Sequence, residues 1–312
     1  MSKEMIQLLT SSHAGLSQCA GYFFENGGGK FIRPTMVVLC SKAVSGGESP
    51  LLPTQRRLAE ITEMIHTASL FHDDVLDSSP TRRSLPSVNS LYGNKLAILA
   101  GDFLLAKASV SLSRLRNLEV VELMSTVIEH LVQGEVMQLN NDVYVNKGVD
   151  EVMEYYLRKN FYKTASLMAN SCMSSSILSN SEPELIEATY LYGKHLGTAF
   201  QLIDDVLDYE GEEGKMGKPR YADLRGGVVT GPLVWAGEEF EEVREMVGRG
   251  LRGEGDLEKA IEIVHNSSGL PRTLQLAKKH AELAVQALEP LQDSVYKEAM
   301  GNLAVRVIER DS

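Results

Sequence analysis

The chain has 312 residues, 43% of them hydrophobic, and a formal net charge of −11. Length alone allows about two domains and a large buried core. The acidic balance argues against nucleic acid as a partner, because binding a phosphate backbone needs clustered Lys and Arg.

Almost every segment carries helical rather than alternating periodicity, which predicts an all-α chain. A first helix is expected over Lys3–Phe24, stopped by Asn26-Gly27-Gly28-Gly29. Lys30 and Arg33 follow, and Pro34 opens a helix to about Ala43. A cation pair beside the unpaired N–H groups of a helix start is a ready anion site. After a Ser45–Pro53 loop, a helix over Arg56–Asp77 carries His66 and ends in Asp73-Asp74-Val75-Leu76-Asp77. Ser78–Ser87 breaks the pattern with two prolines and contains Arg82-Arg83. Leu96–Leu115 is nearly all apolar around one acid, Asp102, and reads as a central helix.

Glu119–Leu139 is amphipathic, with Glu135 and Gln138 near its end. Asn140–Gly148 reads as a loop, and Val149–Leu178 as a helix with a break, carrying Lys163-Thr164. A capping-box start at Ser181 opens a long helix to Tyr209 that carries Gln201. It ends in Asp204-Asp205-Val206-Leu207-Asp208, the earlier pentapeptide letter for letter. A Gly/Glu loop leads to Lys218, and about three further helices complete the chain. Cys19, Cys40 and Cys172 fit reduced intracellular thiols better than a disulfide framework. No apolar run is read as reaching transmembrane length. Residues 1–20 show neither a signal-peptide core nor an Arg-rich transit pattern, so the expectation is a soluble intracellular protein, cytoplasmic or in the mitochondrial matrix.

The repeat organises everything else. Residues four apart share a helix face, so Asp73 and Asp77 align, as do Asp204 and Asp208. Like charges so placed repel unless a cation lies between them. Carboxylates with coordination positions to spare suit Mg²⁺, which takes a few carboxylates plus substrate phosphates. Two copies suggest two walls of one diphosphate site, hence a single domain over 1–312. Arg82 and Arg83, just beyond the acids, supply counter-charge of the geometry phosphates prefer; Lys163, Gln201 and Lys218 are further donors.

Gly29-Lys-Phe-Ile-Arg-Pro34, His72-Asp-Asp-Val-Leu-Asp77 before Thr81-Arg-Arg83, Leu99-Ala-Gly-Asp102, Lys163-Thr-Ala165 and Phe200–Asp208 before Gly217-Lys-Pro219 together resemble a trans-isoprenyl diphosphate synthase. The match spans roughly residues 20–235, in the family's order, and its wording is most similar to long-chain synthases of the ubiquinone side chain. The resemblance implies an isoprenoid synthase helical bundle around a central active-site cavity, usually a homodimer, with Mg²⁺ as cofactor. It implies condensation of isopentenyl diphosphate with allylic diphosphates (dimethylallyl, geranyl, farnesyl or geranylgeranyl), through ionisation of the allylic C–O bond, attack by the isopentenyl double bond, and proton loss to the released diphosphate.

By the same resemblance Asp73, Asp74, Asp77, Asp204, Asp205 and Asp208 are metal ligands, with Asp73, Asp77 and Asp204 foremost. Arg82, Lys163, Thr164, Gln201 and Lys218 hold the allylic diphosphate. Lys30, Arg33, His66 and Arg83 hold that of isopentenyl diphosphate. Ser84 stands where the family often has Gly, and Val228 where many members have a second Lys. Ala68 and Ser69, about 6–7.5 Å below Asp73 along the helix, are small where bulky residues stop growth. They predict a product longer than farnesyl, C25–C35 and best matched by C30. Alternatives are a geranylgeranyl diphosphate synthase and the prenyltransferase part of a fused terpene synthase. A terpene cyclase and a non-catalytic partner subunit fit less well, because both aspartate motifs are intact.

Overall fold

Contacts group the computed structural model, which describes residues 2–26, 29, 31–82, 85–211 and 220–310, into two units. Met1–Ile128, Asn170–Thr189 and Leu291–Glu298 form the first; Glu129–Ala169, Tyr190–Pro290 and Ala299–Ser312 form the second. Four of the boundaries fall inside continuous helices, Leu118–Gln138, Ser166–Ile177, Pro183–Glu210 and Val295–Glu309. The all-α expectation is met, with one addition among the described residues. Thr81–Arg82 and Leu85–Pro86 pair as a short antiparallel ladder, Thr81 opposite Pro86 and Arg82 opposite Leu85.

In the first unit, Pro53 opens the helix Pro53–Leu76, where its missing N–H costs nothing. The Leu52 N–H donates to Gln55 Oε1 at 3.0 Å, satisfying one donor of the helix entry. Leu58, Ile61, Met64, Ile65, Ala68 and Phe71 are fully buried along its inner face. Hydroxyls as well as hydrocarbon meet it there. Thr62 Oγ1 donates to Ser171 Oγ (2.9 Å), and Gln55 Nε2 donates to the Ser175 carbonyl (3.2 Å). The helix ends at Asp77, followed by Ser78 at φ 50°.

Its chief neighbour is the helix Asn94–Ser113, which approaches closely at Gly101. A Cβ on Gly101 would stand 2.3 Å from His72 Nε2. By length and composition this neighbour could cross a membrane, so the reading that no run reaches that length fails here. It nonetheless carries Lys95, Asp102 and Lys107 and buries Ala97, Ala100, Leu104 and Ala108. Nor is it central all round, because Ile98, Leu99 and Val110 stay exposed.

The predicted first helix is two, Ser2–Leu8 and Ala14–Glu25. His13 caps the second through Nδ1, which accepts the Leu16 N–H (3.3 Å), and Ser11 Oγ accepts the His13 N–H (3.0 Å). The polar run Thr10-Ser11-Ser12-His13 offers the backbone these local partners and ends the first helix early.

The second unit is built around Tyr156, Leu202, Ile203, Tyr209, Leu224 and Leu233. Val149–Asn160 runs without a gap into a π-helical turn, Phe161–Ala165, and then into Ser166–Ile177. The predicted break is therefore a widening of the helix. Pro183–Glu210 packs against this segment through Gly193 and Gly197. Added Cβ atoms would lie 2.6 Å from the Met168 carbonyl oxygen and 2.6 Å from Ala165 Cα respectively. A short helix, Asp142–Asn146, occupies the predicted Asn140–Gly148 loop.

Beyond Arg220, five helices of eight or more residues replace the expected three: Gly231–Glu239, Glu241–Gly248, Asp256–Asn266, Gly269–Gln286 and Val295–Glu309. A single turn, Ala222–Arg225, precedes them. Phe240, in extended backbone at φ −131°, ends one helix and starts the next. Neither Gly nor Pro marks that joint.

Candidate active site

The two copies of the pentapeptide are the same in letters and different in surroundings. At the end of Pro53–Leu76, Asp73 is half-buried and Asp77 exposed, while Asp74 is completely buried. One residue of advance on a helix turns a side chain by about 100°, which carries Asp74 off the face its neighbours share. Its Oδ1 accepts two hydrogen bonds from Arg82, from Nε at 2.8 Å and Nη2 at 2.6 Å. Its Oδ2 is buried without a hydrogen-bond partner. Burial raises the Asp74 pKa above the ordinary carboxylate value, and Arg82 opposes the rise. Asn89 Nδ2 donates to the Asp74 carbonyl (3.1 Å), tying the following turn to the helix end.

Arg33 and His66, assigned to the same substrate from sequence, are brought together. Arg33 Nη1 and His66 Nε2 stand 3.0 Å apart. A guanidinium only donates, so His66 accepts there as the neutral imidazole. Ala68 is wholly buried. Ser69, one turn before Asp73 on its face, is half-buried and donates through Oγ to the His66 carbonyl (2.9 Å). Asp102 lies 3.5 Å from His72 Nε2 and is mostly exposed.

In the second unit Asp204 is the accessible member, with its side chain 40% exposed. Asp205 is buried, and three donors converge on it: Tyr156 Oη (2.5 Å) and the Gly231 N–H (2.9 Å) on Oδ2, and Gln201 Nε2 (3.0 Å) on Oδ1. Lys159, also buried, donates to the Val229 carbonyl (3.0 Å). Burial lowers its ammonium pKa to about 8, against the pull of Asp205. Asp208 is buried too and accepts the Ala222 (3.0 Å) and Asp223 (3.3 Å) N–H groups, capping the short Ala222–Arg225 turn.

Lys163 and Thr164 sit in the π-turn, a feature frequent at functional sites. Lys163 Nζ reaches Glu135 Oε2 (2.5 Å) and Gln138 Oε1 (2.9 Å). Thr164 Oγ1 donates to Gln201 Oε1 (2.8 Å), extending the chain Thr164–Gln201–Asp205–Tyr156. Gly134 makes room for the turn, since a Cβ there would lie 2.7 Å from Lys163 Cγ. His130 stacks on Tyr162 with centroids 4.5 Å apart and planes 19° apart.

Tyr156, Lys159 and Gly134 escaped the sequence reading. The first two had a signal, since Tyr156, Lys159 and Lys163 recur at helical spacing and share a face. Lys30, Arg83 and Lys218 lie outside the described residues.

A metal fit follows from the donor set. Among the described residues no three His, Cys, Asp or Glu side chains come together as a metal site. The accessible carboxylates are few and hard. Magnesium is satisfied by one or two carboxylates with waters and phosphate oxygens filling the remaining positions, so the residues present suit it.

A family model for polyprenyl synthetases matches residues 13–264. The chain belongs to the polyprenyl synthetase family. It is a trans-prenyltransferase, a polyprenyl diphosphate synthase with the all-α isoprenoid synthase fold. It is 42% identical over 350 residues to a probable mitochondrial hexaprenyl pyrophosphate synthase of Neurospora crassa, covering 98% of this chain and 78% of that one. It is 43% identical to mitochondrial solanesyl-diphosphate synthase 1 of Oryza sativa subsp. japonica, covering 95% and 72%. Among solved structures, the polyprenyl synthase of Caulobacter crescentus complexed with calcium and isoprenyl diphosphate superposes on the synthase with a TM-score of 0.88. The two are 30% identical, and the match covers 100% of this chain and 94% of that one.

Proposed function

We propose that the synthase condenses isopentenyl diphosphate with an allylic diphosphate in the presence of Mg²⁺, and that its final product is a hexaprenyl diphosphate. The class of product is that of its relatives, whose names span hexaprenyl to decaprenyl synthases. The observation that carries the site assignment is the sorting of the six repeated aspartates. Asp73 and Asp204 are half-buried and Asp77 is exposed, which supports reading these three as the metal ligands. Asp74, Asp205 and Asp208 are turned inward onto protein donors, so their work is to hold the motif ends in shape.

Bound there, Mg²⁺ would neutralise the leaving diphosphate of the allylic substrate, charge stabilisation of the kind that usually dominates catalysis. Lys163 and Thr164 present a cation and a hydroxyl to the same diphosphate. Arg82 adds a guanidinium, held in place by Asp74. Arg33 donates to the diphosphate of isopentenyl diphosphate, and neutral His66 orients Arg33. Gln201 steadies Thr164. Lys30, Arg83 and Lys218 keep their substrate roles on sequence grounds alone. The buried apolar faces of both motif helices exclude water from a reaction that water would quench. Residues 1–312 are read as one catalytic domain on the ground of the repeated pentapeptide in the sequence. Exposed Leu99, Leu118, Val132 and Val136 support a homodimer, and the named compartment of two relatives supports the mitochondrion.

Substitution separates the two groups of aspartates. Asp73→Asn should lower kcat/KM by at least about a hundred-fold with the thermal midpoint unchanged, and Asp204→Asn should lower kcat/KM as much. Asp205→Asn should lower the midpoint, because it weakens a buried network of three hydrogen bonds. Near-normal turnover in Asp73→Asn would place the site elsewhere.

A further inference from the structure

Asp204 already has a cation on it. Arg310, in the segment after Val295–Glu309, donates from Nη2 to Asp204 Oδ1 at 2.7 Å and to the Phe200 carbonyl at 2.6 Å. Its guanidinium lies over the Phe200 ring, 3.8 Å from the centroid. The side chain is only 15% exposed, and its Nε is buried with no hydrogen-bond partner. This is more than a surface ion pair. Stacking, a carbonyl and a carboxylate fix the guanidinium together, yet one of its donors is left unsatisfied at the cost that burial imposes.

We infer that Arg310 is a resident counter-ion of Asp204, and that a divalent cation must displace it to bind there. The inference rests on the reading of Asp204 as a metal ligand. A guanidinium in contact with the same carboxylate would stand within a few ångströms of the ion, where like charges in a partly buried site repel strongly. The two cations therefore compete. Metal uptake at the second motif and release of the segment carrying Arg310 become one event, and by linkage each must weaken the other by the same factor. Arg310 thus keeps Asp204 neutralised without metal, and its release leaves a guanidinium of phosphate-binding geometry beside the site.

The test is Mn²⁺ binding to the full chain without substrate, followed by the electron paramagnetic resonance of the unbound ion. Amide hydrogen exchange of residues 299–310 is measured with and without Mg²⁺. Arg310→Gln should bind Mn²⁺ more tightly than the wild type, by about five- to thirty-fold, and Arg310→Lys should fall between them. In the wild type, Mg²⁺ should speed exchange in 299–310; in Asp204→Asn, exchange should be fast already and indifferent to Mg²⁺. If Asp204→Asn loses Mn²⁺ uptake while Arg310→Gln binds no tighter than the wild type, displacement is wrong and the ligand assignment stands. If Asp204→Asn binds Mn²⁺ as the wild type does, the ligand assignment falls and the inference with it.

Discussion

A single residue's direction decides what an aspartate does in this protein. The repeated pentapeptide is plain in the sequence, and so is the chemistry it announces. Which members face outward is not, because that depends on partners far along the chain. Asp205 meets Tyr156 49 residues before it and Gly231 26 residues after it, and no local pattern encodes those meetings. The same holds for the two small residues below Asp73. Sequence spacing treats Ala68 and Ser69 alike, whereas Ala68 is sealed in the core and Ser69 stays half-buried on the Asp73 face. Ser69→Phe should therefore shorten the product on chromatography with the fold intact. A bulky ring at 68 would instead overpack the core, typically at a cost of about 1–3 kcal/mol. Product lengths unchanged in Ser69→Phe would show that growth is limited elsewhere.

At the scale of elements, periodicity located most helices, because an amphipathic stripe is written into consecutive residues. It merged Ser2–Leu8 with Ala14–Glu25 and undercounted the helices after Arg220. Those breaks are made by side-chain caps and by an extended Phe240, none of which interrupts the apolar pattern strongly. The π-turn at Phe161–Ala165 appeared in the sequence only as an irregularity. What places it is glycine on its neighbours, Gly134 on one side and Gly197 on the other. Gly197→Ala would put a methyl 2.6 Å from Ala165 Cα, and backbone there cannot move aside cheaply. The expected loss is about 2 kcal/mol, a fall of several degrees in the thermal midpoint. An unchanged midpoint would mean that the helices slide apart without cost.

At the scale of the whole molecule, large apolar side chains remain in the open. Leu118 is 87% exposed, and Val132 and Val136, one turn apart on one helix, are each 62% exposed. A second copy of the chain is the proposed cover. Val136→Glu should turn a dimer into a monomer in sedimentation; a wild-type chain that sediments as a monomer would remove the proposal. The central claim is narrower than any of these and is met by one incubation. The purified chain is mixed with farnesyl diphosphate, labelled isopentenyl diphosphate and Mg²⁺, and the products are sized. The account predicts metal-dependent incorporation of label into a series ending at hexaprenyl diphosphate, abolished by chelation. Conversion of farnesyl diphosphate to hydrocarbon without uptake of label, or growth that stops at geranylgeranyl diphosphate, would contradict it.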